Sequence, residues 1–417
     1  MKFLKRYNLQ YVVFGIFYLI EVLLLPFIAG FCLIARFKKK KIDVGLGPEP
    51  LINNVYHKRA LTKYGYEAET FVADVYYITS DFDIIIGRNL NKICDKIVLG
   101  GLIRKVLTPF RSLYTFVLSI WRYKCVYIYF SGGPLGVLGS CLWRLEPYLY
   151  QLAGVKVVVM PYGADVQDLL RTRHLLFRHV MAKQYPRHRF ARRTIERKID
   201  LWTCQADHVI SGCDWIEYMY YWDTLLLAHF SIDTDLWKPS TSEAETAKNA
   251  DEPFRILHAP NHRHVKGTEF FIQAVEELRN EGLPVELVII EKMPNEKIRE
   301  CMETVDVVAD QLIIGWYGMI AIEGMSMGKP VLCYLREDLQ QFYVDAGIVA
   351  ENEIPLIHCT MHNVKEKIRE LVDDRKKVVE IGKKSRVFVM NHHSVEAIGK
   401  VFDEINGQIG VKKCLGV

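Results

Sequence analysis

From Ile42 onward, short β-branched runs alternate with stretches of helical periodicity, and that alternation restricts the chain to an α/β fold on parallel strands. "IDVGLGPEPLINNVYHKRALTKYGYEAETFVA" (42–73) reads as strand, glycine loop, helix and strand. "CVYIYF" (125–130), "VKVVVMPYGAD" (155–165) and "ADHVISG" (206–212) predict three more strands, each running into a loop. Together they make one doubly wound domain, whose ligand edge lies at the C-terminal ends of the strands.

A second series follows "SIDTDLWKP" (231–239) and the polar, turn-rich connection "STSEAETAKNADE" (240–252). Its strands are "FRILHAP", "VELVII", "VDVVADQL" and "PVLCYL". The stretch 363–406 carries apolar residues at helical spacing and predicts two or three amphipathic helices. A chain of 417 residues, 50% apolar, accommodates this with full-sized cores. The expected partition is an anchor at 1–40, a first Rossmann-like domain at 41–235, a second at 236–395, and a closing helix with tail at 396–417. No solenoid repeat or low-complexity segment interrupts it.

The anchor rests on "YVVFGIFYLIEVLLLPFIAGFCLIA" (11–35), long enough to cross a bilayer, which takes roughly 20 residues. Glu21 and Pro26 interrupt the run, so a simple span and a kinked or re-entrant anchor both remain open. "RFKKKK" follows it, and the basic residues Arg36 and Lys38 to Lys41 outnumber Lys2, Lys5 and Arg6. By the positive-inside tendency the main body lies on the cytoplasmic face of a membrane. The 10 cysteines form no Cys-x-x-Cys pair and no Asn-x-Ser/Thr sequon occurs, which fits a reducing compartment. A net charge of +5 does not by itself imply nucleic acid.

Two segments carry candidate chemistry. "RILHAPNHRHVKGTEFFIQAVEEL" (255–278) is a strand, a basic loop and a helix beginning near Thr268. Arg263 and Lys266 there suit a diphosphate; the alternative is a solvated basic loop. His262 and His264 lack the spacing and partners of a metal site. "GWYGMIAIEGMSMGKPV" (315–331) is a glycine-rich turn and short helix holding one carboxylate, Glu323. An acid near strand C-termini can accept both ribose hydroxyls of a nucleotide, whereas a first-turn glutamate can also merely answer the helix dipole.

Taken in order, "SIDTDLWKP", "HVKGTEFFIQAVEEL", "GWYGMIAIEGMSMGKPV" and "NHHSVEAIGKVFDEI" resemble the donor half of retaining GT-B glycosyltransferases of the large glycosyltransferase family 4. The likeness is closest over residues 205–405 and looser before them, through "GLGPEPLINNVYHKRALTKYGYEAETFV" and "YGADV". It implies two Rossmann-like domains facing across a cleft and transfer of a sugar from a nucleotide diphosphate. No cofactor or essential metal is implied. Lys266, helped by Arg263, would neutralise the leaving diphosphate, and Glu323 would hold the ribose. Backbone N–H groups of Gly318, Met319 and Ile320 would face the sugar phosphates, and Gly45 and Gly47 would form the opposing loop. "DTD" (233–235) lies inside the interdomain link and reads as structural.

Two departures from the family pattern stand out. The expected glutamate seven residues ahead of Glu323 is replaced by Gly315, leaving Asp310 or Gln311 to reach the site. Where the family has His-Gly-Ser-Asp this chain has "YGAD", so Tyr162 replaces the histidine while Asp165 remains. Tyrosine, with an ordinary pKa of about 10, hydrogen-bonds a sugar but is a poor base. The basic stretch 171–198 holds a single acid, Glu196, and predicts a face for anionic headgroups or a lipid pyrophosphate, or else a solvated face. The aromatic run "WIEYMYYWDTLLL" (215–227) predicts core.

These features lead to a membrane-associated glycosyltransferase acting on a lipid-linked or polysaccharide acceptor. A GT-B-shaped scaffold without activity is the alternative, and an epimerase of sugar nucleotides is disfavoured because a soluble substrate needs no anchor.

Overall fold

The structure, a computed structural model, describes residues 2–87, 110–239 and 252–414, with side chains from residue 15 onward. The connection at 240–251 and the side chains of Lys2, Lys5 and Arg6 lie outside the described residues.

The first domain is a seven-stranded parallel sheet of β1 (Ile42–Leu46), β2 (Ala68–Val72), β3 (Ile84–Ile85), β4 (Tyr123–Tyr129), β5 (Lys156–Met160), β6 (His208–Gly212) and β7 (Thr224–Leu226). Their order is β3-β2-β1-β4-β5-β6-β7. The second domain holds β8 (Phe254–His258), β9 (Val285–Ile289), β10 (Val307–Gln311), β11 (Val331–Cys333) and β12 (Ile357–His358), ordered β12-β11-β10-β8-β9. Every strand predicted from the sequence is present; β3, β7 and β12 are additions of two or three residues. Such pieces are too short to show a period.

Helices on both faces explain why the central strands are apolar throughout. Along β4, Val126, Ile128 and the following Phe130 enter one core, while Cys125, Tyr127 and Tyr129 enter the other. That alternation is the strand period of two.

Three helices form the C-terminal part, Val364–Asp373, Arg375–His392 and Val395–Gln408. The last returns to the first domain. Its Phe402 packs 5.1 Å from the Tyr127 ring, and Gly399 lets it approach the helix Asn53–Lys63, since a Cβ there would meet Ala60 O at 2.7 Å.

The N-terminal helix runs Lys2–Phe37 with Pro26 inside it. Its Gly15–Phe37 portion is 23 residues of mean hydropathy 2.4, long and apolar enough to cross a membrane. Phe17, Ile28, Cys32 and Ala35 are nevertheless buried, and the helix lies against Arg111–Arg122 and Glu146–Leu152 of the first domain. Glu21 is fully buried there, accepting from the Cys141 N–H at 2.8 Å and the Ser112 hydroxyl at 3.4 Å. The residue expected to interrupt a span instead fastens the helix to the domain.

Candidate active site

In the second sheet, chain order reverses between neighbouring β8 and β10, and a parallel sheet opens a ligand crevice at such a point. Lys266 ends the short helix Arg263–Lys266 after β8. Gly267 follows with φ of 75°, a left-handed turn that starts the helix Thr268–Asn280. A Cβ at Gly267 would lie only 3.2 Å from Leu312 Cβ, so the two loops touch here. His258 at the end of β8 ties this corner together, meeting Ala309 O through Nδ1 and the Thr268 hydroxyl through Nε2, both at 2.8 Å.

Asp310 comes from β10, where register with β11 shifts between Ala309 and Gln311. A bulge of this kind re-aims a side chain. Asp310 Oδ1 receives the Lys266 ammonium at 2.5 Å, and Oδ2 receives the Gly318 N–H at 2.8 Å. The three groups are close together, since a Cβ at position 318 would touch Lys266 Nζ at 3.4 Å and Asp310 Oδ2 at 3.8 Å. Lys266, Asp310 and Gly318 therefore form one cluster. Of the two residues expected near the site, Asp310 is the one whose carboxylate meets Lys266.

Glu323 sits inside the helix Met319–Ser326 and is only 3% exposed, so a solvated helix charge is excluded. Asn295 donates to its Oε1 at 2.7 Å. Burial pushes its pKa up to about 8, opposed by the Asn295 hydrogen bond and assisted by the charge of Asp310. Asn295 in turn meets the Tyr56 hydroxyl of the first domain at 3.2 Å, and Trp237 of the link donates to the same hydroxyl at 2.9 Å. Met319 and Ile320 lie half-buried at the first turn, where helix N–H groups lack intrahelical partners.

Other predicted residues do different work. The Arg263 guanidinium pairs with Glu269 at 3.5 Å and Glu291 at 3.7 Å. Gln311 is buried and used up by the backbone: its amide donates to Trp316 O and Tyr334 O, and its oxygen accepts from Ile313 and Ile314. It shapes the loop without entering the site. Asp233 of "DTD" caps its own turn and pairs with Arg59 at 2.9 Å.

The first domain has its own reversal between β1 and β4. Gly45 lies within β1, where a Cβ would strike the Tyr123 ring at 2.4 Å, so it serves packing and not a ligand loop. Gly47 follows the strand, packed so closely on Phe71 O that a Cβ would come within 1.8 Å. The loop beyond carries Glu49, which the sequence reading missed. Burial raises its pKa, while Ser131 after β4 and Lys198 oppose the rise. Lys198 Nζ donates to Ser131 O at 2.5 Å, fixing the "SGGP" turn from the end of the basic stretch. Glu146 supports the same turn, accepting from the N–H groups of Leu135 and Gly136.

Asp165 is 5% exposed and acts as a backbone tie. Its oxygens accept from Tyr162, Gly163 and Phe130, each at 3.0 Å. Burial pushes it up to about 7. Tyr162 is half-buried beside Tyr129, and burial with the Asp165 charge drives its pKa far up, so its phenol stays neutral.

The domains meet along their strand C-termini. Trp316 Nε1 donates to Leu227 O at 3.1 Å, and Tyr343 donates to Cys213 O at 2.7 Å. The basic stretch joins them as well. Phe177 and Met181 of its helix Leu175–Gln184 pack with Val265 and Ile313, and Tyr185 meets His262 Nδ1 at 2.5 Å. This part of the stretch covers the Lys266 turn, and the predicted headgroup role does not describe it.

No family model matches the chain, and no curated protein matches it. Solved structures do. Anabaena HepE in complex with UDP has a TM-score of 0.52 at 14% identity, covering 88% of this chain and 100% of that one. Sucrose-phosphate synthase from Thermosynechococcus elongatus has a TM-score of 0.53 at 15% identity, over 89% and 99% of the two chains. The two parallel-sheet domains thus have the GT-B architecture.

Proposed function

We propose that this chain is a membrane-associated glycosyltransferase that uses a nucleotide-diphosphate sugar. The observation that carries the reading is the Lys266–Asp310–Gly318 cluster at the β8/β10 reversal, with buried Glu323 on the adjoining helix. A cation and helix-start N–H groups suit a diphosphate, and a carboxylate nearby suits ribose hydroxyls. HepE, solved with UDP and glucose, supports a nucleotide sugar as the ligand class for such a fold.

In the proposed reaction the bond from the sugar C1 to the diphosphate oxygen breaks, and a bond from C1 to an acceptor oxygen forms on the same face. The acceptor proton passes to the leaving phosphate. Lys266 stabilises the departing negative charge, which is the principal demand on such a site. No metal or enzymic nucleophile takes part. Tyr162, held neutral, serves as a hydrogen-bonding group on the acceptor side with Glu49 and Lys198 nearby. The acceptor is a lipid-linked or polysaccharide glycan at the cytoplasmic membrane face, a reading supported by the apolar N-terminal helix and the lysines after it.

A second reading, a GT-B-shaped subunit without activity, draws on Gly315, where the expected carboxylate is absent. Incubating purified protein with a panel of nucleotide sugars and membrane lipid extract tests the first. Transfer or donor hydrolysis that disappears in Lys266→Ala supports it. Folded protein inert toward every donor, with glycan production in cells unchanged by Lys266→Ala, favours the scaffold.

A further inference from the structure

The N-terminal helix presents two unlike faces. Phe17, Glu21, Ile28, Cys32 and Ala35 point into the first domain, whereas Ile16, Leu19, Leu23, Phe27, Phe31 and Ile34 recur every three or four residues and are each at least 49% exposed. Its attachment is firm at two points. Glu21 is bonded to Cys141, and just past the helix the buried Lys40 ammonium donates to Ala153 O at 3.0 Å. Residues 17–35 span about 27 Å at 1.5 Å per residue, close to the roughly 30 Å of a bilayer core. For them to cross a membrane, the wall of helices beside them would have to enter it too. Lying in the membrane plane, with the outer stripe down, removes that conflict.

Beside this helix is a groove of about 490 Å³, between it and the helix Arg111–Arg122. Phe31, Tyr114, Leu118 and Trp121 line it, together with Lys38, Lys39 and Lys41. Lys38 Nζ stands 4.1 Å from the Trp121 ring centre. Arg122 also borders the groove but is held by Glu69. Among the described residues, no carboxylate pairs with Lys38, Lys39 or Lys41. Ile42 and Arg122 place the groove at the starts of β1 and β4, the opposite edge of the sheet from the candidate active site. It is therefore not part of the donor or acceptor crevice.

We propose that this groove binds an anionic phospholipid, with an acyl chain along Phe31, Tyr114 and Trp121 and the phosphate at Lys38, Lys39 and Lys41, so that the helix sits in one leaflet. The apolar stripe, the groove and the lysines then face the same surface, as a charged lipid interface demands. The volume falls in the range of about 300–1,000 Å³ that holds small molecules. The proposal rests on the membrane reading above and is independent of the transfer chemistry.

The test is co-sedimentation of the full chain with vesicles of phosphatidylcholine alone or mixed with phosphatidylglycerol. Binding is expected to favour the anionic vesicles and to fall about fivefold for each of Lys38, Lys39 and Lys41 changed to Gln. Chain-brominated phosphatidylglycerol is expected to quench fluorescence in the native chain and less in Trp121→Phe. Equal binding to both vesicles, an unaffected triple variant or equal quenching in Trp121→Phe overturns the proposal. Dimerisation in place of vesicle binding assigns the face to a second copy and overturns it too. Circular dichroism and donor hydrolysis, measured on the same variants, check folding and separate a failure here from a failure of the transferase reading.

Discussion

The stem of Arg336 lies across Gly315: a Cβ at position 315 would come within 2.7 Å of both Arg336 Cγ and Cδ. Gly315 has φ of 98°, and its carbonyl accepts the Arg336 N–H at 2.9 Å. From there the guanidinium reaches Glu217 of the first domain at 2.7 Å and Asp338 at 2.6 Å. The missing glutamate is thus one half of a structural trade, in which an interdomain ion pair occupies the space. Gly315→Glu should destabilise the protein and not restore a sugar contact, because it adds about 1–3 kcal/mol of backbone strain and displaces Arg336. Denaturant melts with parallel activity assays check this; a more active, equally stable variant would refute it.

The same pair yields a separate prediction. Arg336 and Glu217 are 7% and 4% exposed, so removing Glu217 takes the interdomain partner from a nearly buried guanidinium and leaves it Asp338 on its own domain. Glu217→Ala should cost about 1–3 kcal/mol, because Asp338 still balances the guanidinium. Differential scanning calorimetry should show the loss together with weaker coupling between the domains, seen as a broader or split transition.

Lys266 and Asp310 should separate by kinetics. Lys266→Ala removes the cation expected to meet the leaving group, and a fall of about 10²–10³ in kcat is expected. Asp310→Asn keeps the Gly318 contact but releases the lysine from its 2.5 Å pairing, so the larger change should appear in KM for the donor. Initial-rate measurements on both variants decide it; an unchanged kcat in Lys266→Ala would remove that residue from the reaction.

Which parts were legible in the sequence follows from what is local. Long β-branched strands, the Lys-Gly helix start and the Glu323 helix carry their signal in adjacent residues. Asp310 needed a bulge to turn toward Lys266, and a bulge depends on the register of two strands far apart in sequence. Lys198 looked like one more charge in a basic stretch, yet it reaches back to Ser131, and Glu49 is brought to it only by the neighbouring of β1 and β4. "WIEYMYYWDTLLL" likewise divides: Trp215, Tyr218 and Met219 are core, Tyr220 and Tyr221 are exposed, and Thr224–Leu226 becomes β7.

The buried carboxyls set a pH dependence. Glu323 rises from 4.5 to about 8 and Asp165 from 3.8 to about 7, both through burial. Between those values the folded chain holds protons that the unfolded chain releases, so these groups contribute stability that is lost as pH rises toward 8. The buried His57 and His258, lowered to about 4 by burial, act oppositely and cost stability as pH falls below 6.5. Glu323→Gln should flatten the alkaline side of the profile in denaturant melts. Nucleotide affinity should rise with pH toward about 8 in the native chain, since ionised Glu323 is the better ribose acceptor, and be nearly flat in the variant. Calorimetric titration with a nucleoside diphosphate reads this directly.

Glu21 offers the last prediction, because its role inverts the usual meaning of a carboxylate in an apolar helix. A charge facing lipid would be improved by an apolar replacement. Here the carboxylate is buried against the first domain and accepts the Cys141 N–H, so Glu21→Leu leaves that donor without its partner at a cost of about 1–3 kcal/mol. The helix should then release from Arg111–Arg122 and Glu146–Leu152, freeing the buried Lys40 and loosening the backbone around the lysines. Trypsin cleavage at Lys38 to Lys41 should be faster in Glu21→Leu than in the native chain, with Glu21→Gln between them because its amide oxygen can still accept. Cleavage slowed or unchanged by the leucine would mean that the helix is held by its apolar contacts alone.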